Sequence, residues 1–294
     1  MADHEWIAER FEVHRTRLQA VAYRVLGSLS DADDAVQEAW LRLVRSDSSG
    51  IENLAGWLTT VVARVSLDML RSRTSRREEA LGAHVPEPIA NREARTDPQH
   101  EALLADSVGL ALLVVLDRLA PAERLAFVLH DMFALPFEEI APIVGRSPAA
   151  ARQLASRARS RVQGGPAFRN ADLTRQRKVV DAFLSAVRAR DFDGLLAVLD
   201  PEVVIHADQA AVPASASREV RGAQNAASEA ITYSRGANFA RLALVNGAVG
   251  VVVAPQGRLV RVLSFTFKRG KIVRIDVIAD PARLGELELA ILRK

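Results

Sequence analysis

The chain has 294 residues, 49% hydrophobic and 26% charged, with a formal net charge of +3 and no cysteine. That length accommodates two or three compact domains. The absence of cysteine excludes disulfides and cysteine-ligated zinc, and no run of about 18 apolar residues offers a membrane span. The N-terminus, "MADHEWIAERFEVHRTRLQA", is charged from the start and lacks an apolar signal-peptide core, so a cytoplasmic protein is expected.

The first eighty residues read as helices. "FEVHRTRLQAVAYRVLG" places Phe11, Leu18, Val21, Ala22 and Val25 at helical intervals and stops at Gly27. Ser30 or Asp31 is the expected cap of "DADDAVQEAWLRLVR", which carries acids in its first turn and arginines in its last, as the helix dipole favours. After the polar break "SDSSGIEN", Leu54, Trp57, Leu58, Val61, Val62 and Val65 form one apolar stripe. Trp57 on that stripe is expected in the core. The helix then runs into "RSRTSRREE", where Arg71, Arg73, Arg76 and Arg77 fall close together, with Arg64 two turns earlier. A solvated helix end and a nucleic-acid contact both fit this cluster.

Residues 81–98, with Pro86, Pro88 and Pro98, lack periodicity and read as a linker. Helices resume from about Gln99. In "LPFEEIAPIVGRS", Ile140, Ala141 and Val144 share a face, Gly145 turns the chain, and Ser147-Pro148 supplies an N-cap with proline at the first helical position. Two helices joined by a tight Gly-containing turn form a helix-turn-helix.

The second of these helices lies in residues 144–162, a stretch with five arginines and no acid. At about 100° per residue, Ala151, Leu154, Ala155, Ala158 and Val162 fall together and can pack inward. Ala149, Gln153, Ser156 and Ser160 centre the opposite face. Arg152 and Arg159 flank it on one side, Arg157 and Arg161 on the other. Small groups at the centre and guanidinium groups at the edges suit a major groove. The alternatives are a solvated basic face and a membrane-surface helix, the latter poorly served by an alanine-rich apolar side.

After the break "QGGPAFRNA" (residues 164–171 serve as a second linker) the pattern changes. A helix, "LTRQRKVVDAFLSAVRARD", precedes a short helix and a strand near Pro201. Another helix is expected over residues 223–233. β-rich runs follow, with Asn246-Gly247 and Arg269-Gly270 as hairpin turns. Helices followed by a bent antiparallel sheet indicate a separate α+β domain over residues 172–294.

The segments "DADDAVQEAWLRL" and "GWLTTVVARVSLDMLRSR" resemble region 2 of bacterial RNA polymerase sigma factors of the extracytoplasmic-function (ECF) group. "LDRLAPAERLAFVLHDMFALPFEEIAPIVGRSPAAARQLASRARSRV" resembles their region 4. "IDVIADPARL" and "VPEP" resemble the ending and the linker of the SigJ-like subgroup, which carries a fused C-terminal SnoaL-like domain. The resemblance implies two all-α domains, a region 2 bundle (residues 1–80) and a region 4 helix-turn-helix (99–163). A SnoaL-like cone with a curved antiparallel sheet then follows.

It also implies partners: promoter DNA, and core RNA polymerase through its β′ clamp helices and β flap. Asp34, Gln37, Glu38 and Leu41 match the polymerase-docking segment. Residues 46–53 with the following helix match the part that opens the −10 element, placing Arg64, Arg71, Arg73, Arg76 and Arg77 near DNA. Arg152, Gln153, Ser156 and Arg157 match −35-reading positions, with Arg159 and Arg161 as phosphate contacts. Pro86, Glu87 and Pro88 match the interdomain linker signature, although His84-Val85 replace its tryptophan-leucine pair. The subgroup's acidic, glycine-rich motif is reduced here to "ADQAAVP", which keeps Asp208.

SnoaL-like folds enclose an apolar pocket that can hold a small-molecule ligand. His206, Asp208, Tyr233 and Asp276 are its polar candidates; a lone histidine such as His206 is more often structural, and Asp276 reads either as a pocket carboxylate or as an outward-facing residue in strand alternation. No pair at defined spacing, metal-ligand cluster or nucleotide-binding motif supports catalysis or a cofactor. The expectation is a sigma factor whose last domain modulates it in cis. The alternative is an effector-binding helix-turn-helix regulator acting without core polymerase. An isomerase or cyclase tethered to DNA is a third reading.

Overall fold

A computed structural model describes residues 2–46, 51–80, 107–164, 172–211 and 218–292. It divides into two compact units, Met1–Glu93 with Leu116–Arg159, and Ala94–Val115 with Ser160–Lys294. The linker candidates Pro86, Glu87 and Pro88 lie outside the described residues.

In the first unit, α1 (Ala2–Leu26), α2 (Leu29–Arg45) and α3 (Leu54–Ala80) pack on one another. Phe11, Leu18, Val21 and Val25 meet Val36, Leu43, Leu58 and Val62 in a core from which water is excluded. Trp57 departs from expectation: at the first turn of α3, where few neighbours can cover it, it is only half-buried. The cap of α2 also differs, being Ser28 rather than Ser30 or Asp31; its hydroxyl accepts from the Asp31 N–H at 3.4 Å. Gly27 explains the shift. Its left-handed φ of 75° ends α1 and leaves Ser28 as the first extended residue.

A shorter helix α5 (Pro121–Phe127) runs into a π-helical turn at Val128–Met132, and α6 (Phe137–Val144) follows. α3 packs against both α5 and α6. Gly145 adopts φ 69°, ψ 41°, with nothing within 4 Å of where a Cβ would sit. Helix α7 (Pro148–Gln163) begins at the expected Ser147-Pro148, the Ser147 hydroxyl accepting from the Ala150 N–H at 3.3 Å. The helix-turn-helix is therefore built as its sequence tokens dictate.

Helix α4 (Ser107–Leu116), preceding these in the chain, is buried from Leu110 to its end. In the second unit, α8 (Asp172–Ala189), α9 (Phe192–Val198) and α10 (Ala223–Thr232) lie over a seven-stranded sheet. The strands are β1 (Leu199–Ala207), β2 (Glu219–Arg221), β3 (Ala240–Val245), β4 (Ala248–Val253), β5 (Arg261–Lys268), β6 (Lys271–Ile278) and β7 (Leu289–Ala290). Their order is β2-β1-β6-β5-β4-β3-β7. Asn246-Gly247 and Arg269-Gly270 have positive φ at both positions, as tight hairpins require.

The sheet is mixed rather than wholly antiparallel, because β1 and β6 pair in parallel. Parallel neighbours cannot be joined by a tight turn, and here β2, α10 and the β3–β5 meander intervene. Phe183, Leu195, Ile205, Val251, Phe265 and Ile275 are at the centre of the resulting core. Gly250 in β4 is sterically required. A Cβ there would lie 2.6 Å from Val245 Cγ2 and 2.8 Å from the Leu263 carbonyl oxygen.

Candidate functional site

Helix α7 sorts its residues as its periodicity predicts. Ala151, Ala155, Ala158 and Val162 are buried and Leu154 is half-buried. Ala149, Arg152, Gln153, Ser156, Arg157, Ser160 and Arg161 are exposed. The side chain of Arg152 lies over the Phe137 ring, 5.2 Å from its centroid, and Phe137 in turn stacks on His130 at 3.9 Å. A guanidinium spread on an aromatic face loses rotamer freedom while keeping its donors available.

Arg159 is placed differently from its neighbours. Its Nε and Nη2 donate to the two carboxylate oxygens of Asp131, at 2.7 and 2.9 Å. That hydrogen bonding raises the Arg159 pKa above its ordinary value. Asp131 stands on the π-helical turn, so the pair ties α7 to the element two steps before it. The fork engages Nε and Nη2 and fixes the side chain to the fold.

The second basic cluster is similarly divided. Arg64, Arg71 and Arg76 are exposed on α3; Arg71 lies 3.8 Å from Asp68, and Arg76 donates to the Ser72 hydroxyl at 2.9 Å. Arg73 instead donates to the Leu26 carbonyl at 3.1 Å and ion-pairs with Asp31, joining α3 to the α1–α2 corner. The side chain of Arg77 lies outside the described residues. In the loop before α3, Asn53 caps the helix, accepting from the Gly56 N–H at 3.0 Å.

On α2, Asp34 and Gln37 are exposed, and Glu38 accepts a 2.8 Å hydrogen bond from Arg42. Leu41 is 37% exposed. The i, i+3, i+4, i+7 spacing puts the four residues on one solvent-facing stripe. An acidic stripe with one open leucine suits a basic helical partner.

A cavity of ≈ 120 Å³ opens between α8, α10 and the concave side of the sheet. Of the polar candidates, Tyr233 is in its wall; His206, Asp208 and Asp276 are not. His206 and Asp276 are opposite one another in the β1–β6 register, between the inward-facing pairs. His206 Nδ1 is 3.4 Å from Glu219 Oε2, and Arg274 clasps Asp276 with three bonds of 2.7–3.0 Å. Asp208 braces the backbone after β6. Its side chain is 7% exposed, and one oxygen accepts from the Ala279 and Asp280 N–H groups, both at 2.9 Å. Asp280 then caps α11 (Pro281–Glu286) through the Arg283 N–H.

The charged groups that do line the cavity are Arg218, Glu229 and Arg261. Arg261 begins β5 on the same face as Leu263 and Phe265, and its Nη2 donates to the Ala211 carbonyl at 3.0 Å. Burial lowers its pKa, against the opposing influence of Tyr233 and Asp208. The signal was available in "RVLSFTF": a charge in phase with the inward leucine and phenylalanines. Among the described residues no group of histidine, aspartate and glutamate could hold a metal ion. No described helix is long and apolar enough to cross a membrane.

Residues 10–76 match the Sigma-70 region 2 family, and residues 109–162 match Sigma-70, region 4. The chain is 40% identical over 286 residues to the ECF RNA polymerase sigma factor SigJ of Mycobacterium tuberculosis, covering 92% of this chain and 91% of that protein. It is 34% identical over 299 residues to the probable ECF RNA polymerase sigma factor SigI of the same species, covering 98% of each. Among solved structures it resembles the crystal structure of M. tuberculosis SigJ at 37% identity, over 95% of this chain and 98% of that one, with a TM-score of 0.46.

Proposed function

The chain belongs to the extracytoplasmic-function RNA polymerase sigma factors, which direct transcription from chosen promoters, and from that premise we propose how its own residues divide the work. Residues 1–80 engage core polymerase and the −10 element, residues 99–163 the −35 element, and residues 172–294 modulate both. The stretches 81–98 and 164–171 are the connections.

The observation that carries this reading is the sorting of α7: small groups and arginines outward, alanines inward. Gln153, Ser156 and Arg157 reach base edges in the major groove, Arg152 is aimed by Phe137, and Arg161 meets a phosphate. Arg159 acts as a positioning residue through Asp131. At the −10 element Arg64, Arg71 and Arg76 face the backbone, while Arg73 holds the bundle that presents them. The stripe Asp34, Gln37, Glu38 and Leu41 docks on the β′ clamp helices, and region 4 docks on the β flap.

Modulation in cis is supported by a contact inside the second unit. The Ile291 N–H, just after β7, donates to the Val162 carbonyl in the last turn of α7, at 2.9 Å. A covalently attached domain acts at a high effective concentration, so even weak docking counts.

Run-off transcription with bacterial core polymerase on genomic fragments tests the reading, using the full chain and its Arg157→Ala, Gln153→Ala and Ile291→Pro variants. Discrete start sites are expected only with added protein. They should weaken for Arg157→Ala at all promoters and for Gln153→Ala selectively, and Ile291→Pro should change their yield. Tight duplex binding without polymerase, and no start sites, would favour the effector-binding regulator instead. Unchanged yield from Ile291→Pro would remove the cis-modulation.

A further inference from the structure

Arg261 sits where a folded chain has reason to avoid a charge. Strand β5 faces its first residue into the concave side of the sheet, opposite Val253 of β4 and next to Leu263 on the same face. Among the described residues its guanidinium has one hydrogen-bond acceptor, the Ala211 carbonyl, and no ion-paired carboxylate. A guanidinium carries five N–H donors, so most of its capacity faces a wall made chiefly of Val, Leu, Ile and Ala. Half-burying a cation whose nearest carboxylate, Asp208, acts on it through space without ion-pairing with it is unfavourable. A hydrophobic residue at the same position would close the cone without that penalty. The arrangement makes chemical sense if the partner is not part of the chain.

The rest of the wall defines that partner. Arg218 and Glu229 are opposite in sign, so the charged lining carries one cation in excess; Asp208, outside the lining, tempers Arg261 without ion-pairing with it. Tyr233, which caps the end of α10, also lines the cavity. The volume of ≈ 120 Å³ is close to the ~150 Å³ apolar cavity that accepts benzene in an engineered protein. A half-buried guanidinium at such a wall prefers a planar anion that can take two parallel N–H donors.

We infer that the cavity of the second unit binds a small monoanionic ligand with an apolar body, a monocyclic aromatic or branched short-chain carboxylate, whose carboxylate is held by Arg261. This site is the effector site of the modulating domain, so its role in regulation rests on the cis-modulation proposed above. Its ligand chemistry does not.

The test is binding alone, which keeps the two claims separable. The full-length chain is titrated with 4-fluorobenzoate and, in parallel, with its neutral counterpart 4-fluorotoluene, followed by fluorine NMR. Saturable binding of the benzoate is expected, at least about tenfold tighter than the toluene. Arg261→Gln should remove that preference, and Arg261→Lys should restore part of it. Ala230→Phe, which fills the cavity while leaving Arg261 in place, should abolish binding of both probes. The inference is overturned if the benzoate does not saturate, if the unaltered chain binds both probes equally, or if a folded Arg261→Gln variant keeps its preference for the anion. Should Arg261→Gln fail to fold, the anion-to-neutral ratio and Ala230→Phe still decide the matter.

Discussion

Replacing Asp131 by alanine deletes the carboxylate that receives both forks of Arg159, at 2.7 and 2.9 Å. The side chains are 38% and 20% exposed for arginine and aspartate, so water screens the pair only in part. Exposed ion pairs contribute about 0.2–1 kcal/mol, and bidentate geometry with partial burial puts this one near ~1 kcal/mol at low salt. Native-state hydrogen exchange at the α7 amides reads that quantity locally, without assuming that the whole chain unfolds in one step. Asp131→Ala, Arg159→Ala and the double variant complete a thermodynamic cycle. A coupling of ~1 kcal/mol is expected, shrinking toward zero near 1 M salt, where the Debye length is about 3 Å. Transcription by the same variants separates the two roles open to Arg159. A positioning residue predicts equal defects in both single variants and no further loss in the double. A phosphate contact predicts that Arg159→Ala is worse than Asp131→Ala, whatever the residue at 131. Coupling near zero at low salt, or additive transcription defects, would refute the positioning argument.

Gly250→Ala should destabilise the sheet-containing unit by about 1–3 kcal/mol, because its new methyl group meets a backbone carbonyl as well as Val245. Thermal melts followed by near-UV circular dichroism would show it, with far-UV helicity of the remainder retained at intermediate temperature. Leu41→Glu should leave the fold intact, since the side chain is already at the surface, and should weaken association with core polymerase in a pull-down. The hydrogen bond and charge of Arg221, with a smaller contribution from His206, hold the Glu219 carboxyl below its ordinary range. A lowered folded-state pKa gives stabilisation that is present above the unfolded value and fades as pH falls through the lowered one. Arg221→Ala should therefore raise the Glu219 midpoint in a carbonyl NMR titration, and an unmoved midpoint would contradict the pairing.

Most of what the α7 region shows was legible because its determinants are local. A glycine at the turn, a Ser-Pro start and a 3.6-residue alternation of alanine and arginine all act within one or two turns. What escaped depends on partners distant in the chain. Arg159 meets a residue 28 positions away, and Arg73 a carbonyl 47 positions away. From the sequence both are simply members of a basic cluster. The cap of α2 was misplaced because Ser28 and Ser30 are equally good acceptors, and only the φ of Gly27 chooses between them. In the last domain the strands were readable but their phase was not. Alternation alone lets His206 and Asp276 face either way until the β1–β6 register fixes Ile205 and Ile275 inward. That parallel pairing joins strands separated by most of the domain, and no local signal announces it. Arg261 is hidden in the sequence for the same reason, although its phase against Phe265 points inward.

The central place of β6 gives the chain a timetable. Both neighbours of that strand, β1 and β5, precede it in the sequence, so β1 waits with one edge unpaired while the domain is synthesised. Every residue of the first unit emerges from the ribosome before β1 begins. At 5–20 residues per second, roughly ten seconds pass between the last turn of α7 and the arrival of β6. During that interval the helices of the first unit can fold, while the sheet of the second cannot close. A chain cut between Gly222 and Lys271 would keep that edge of β1 open for its whole life, inviting pairing with its own kind.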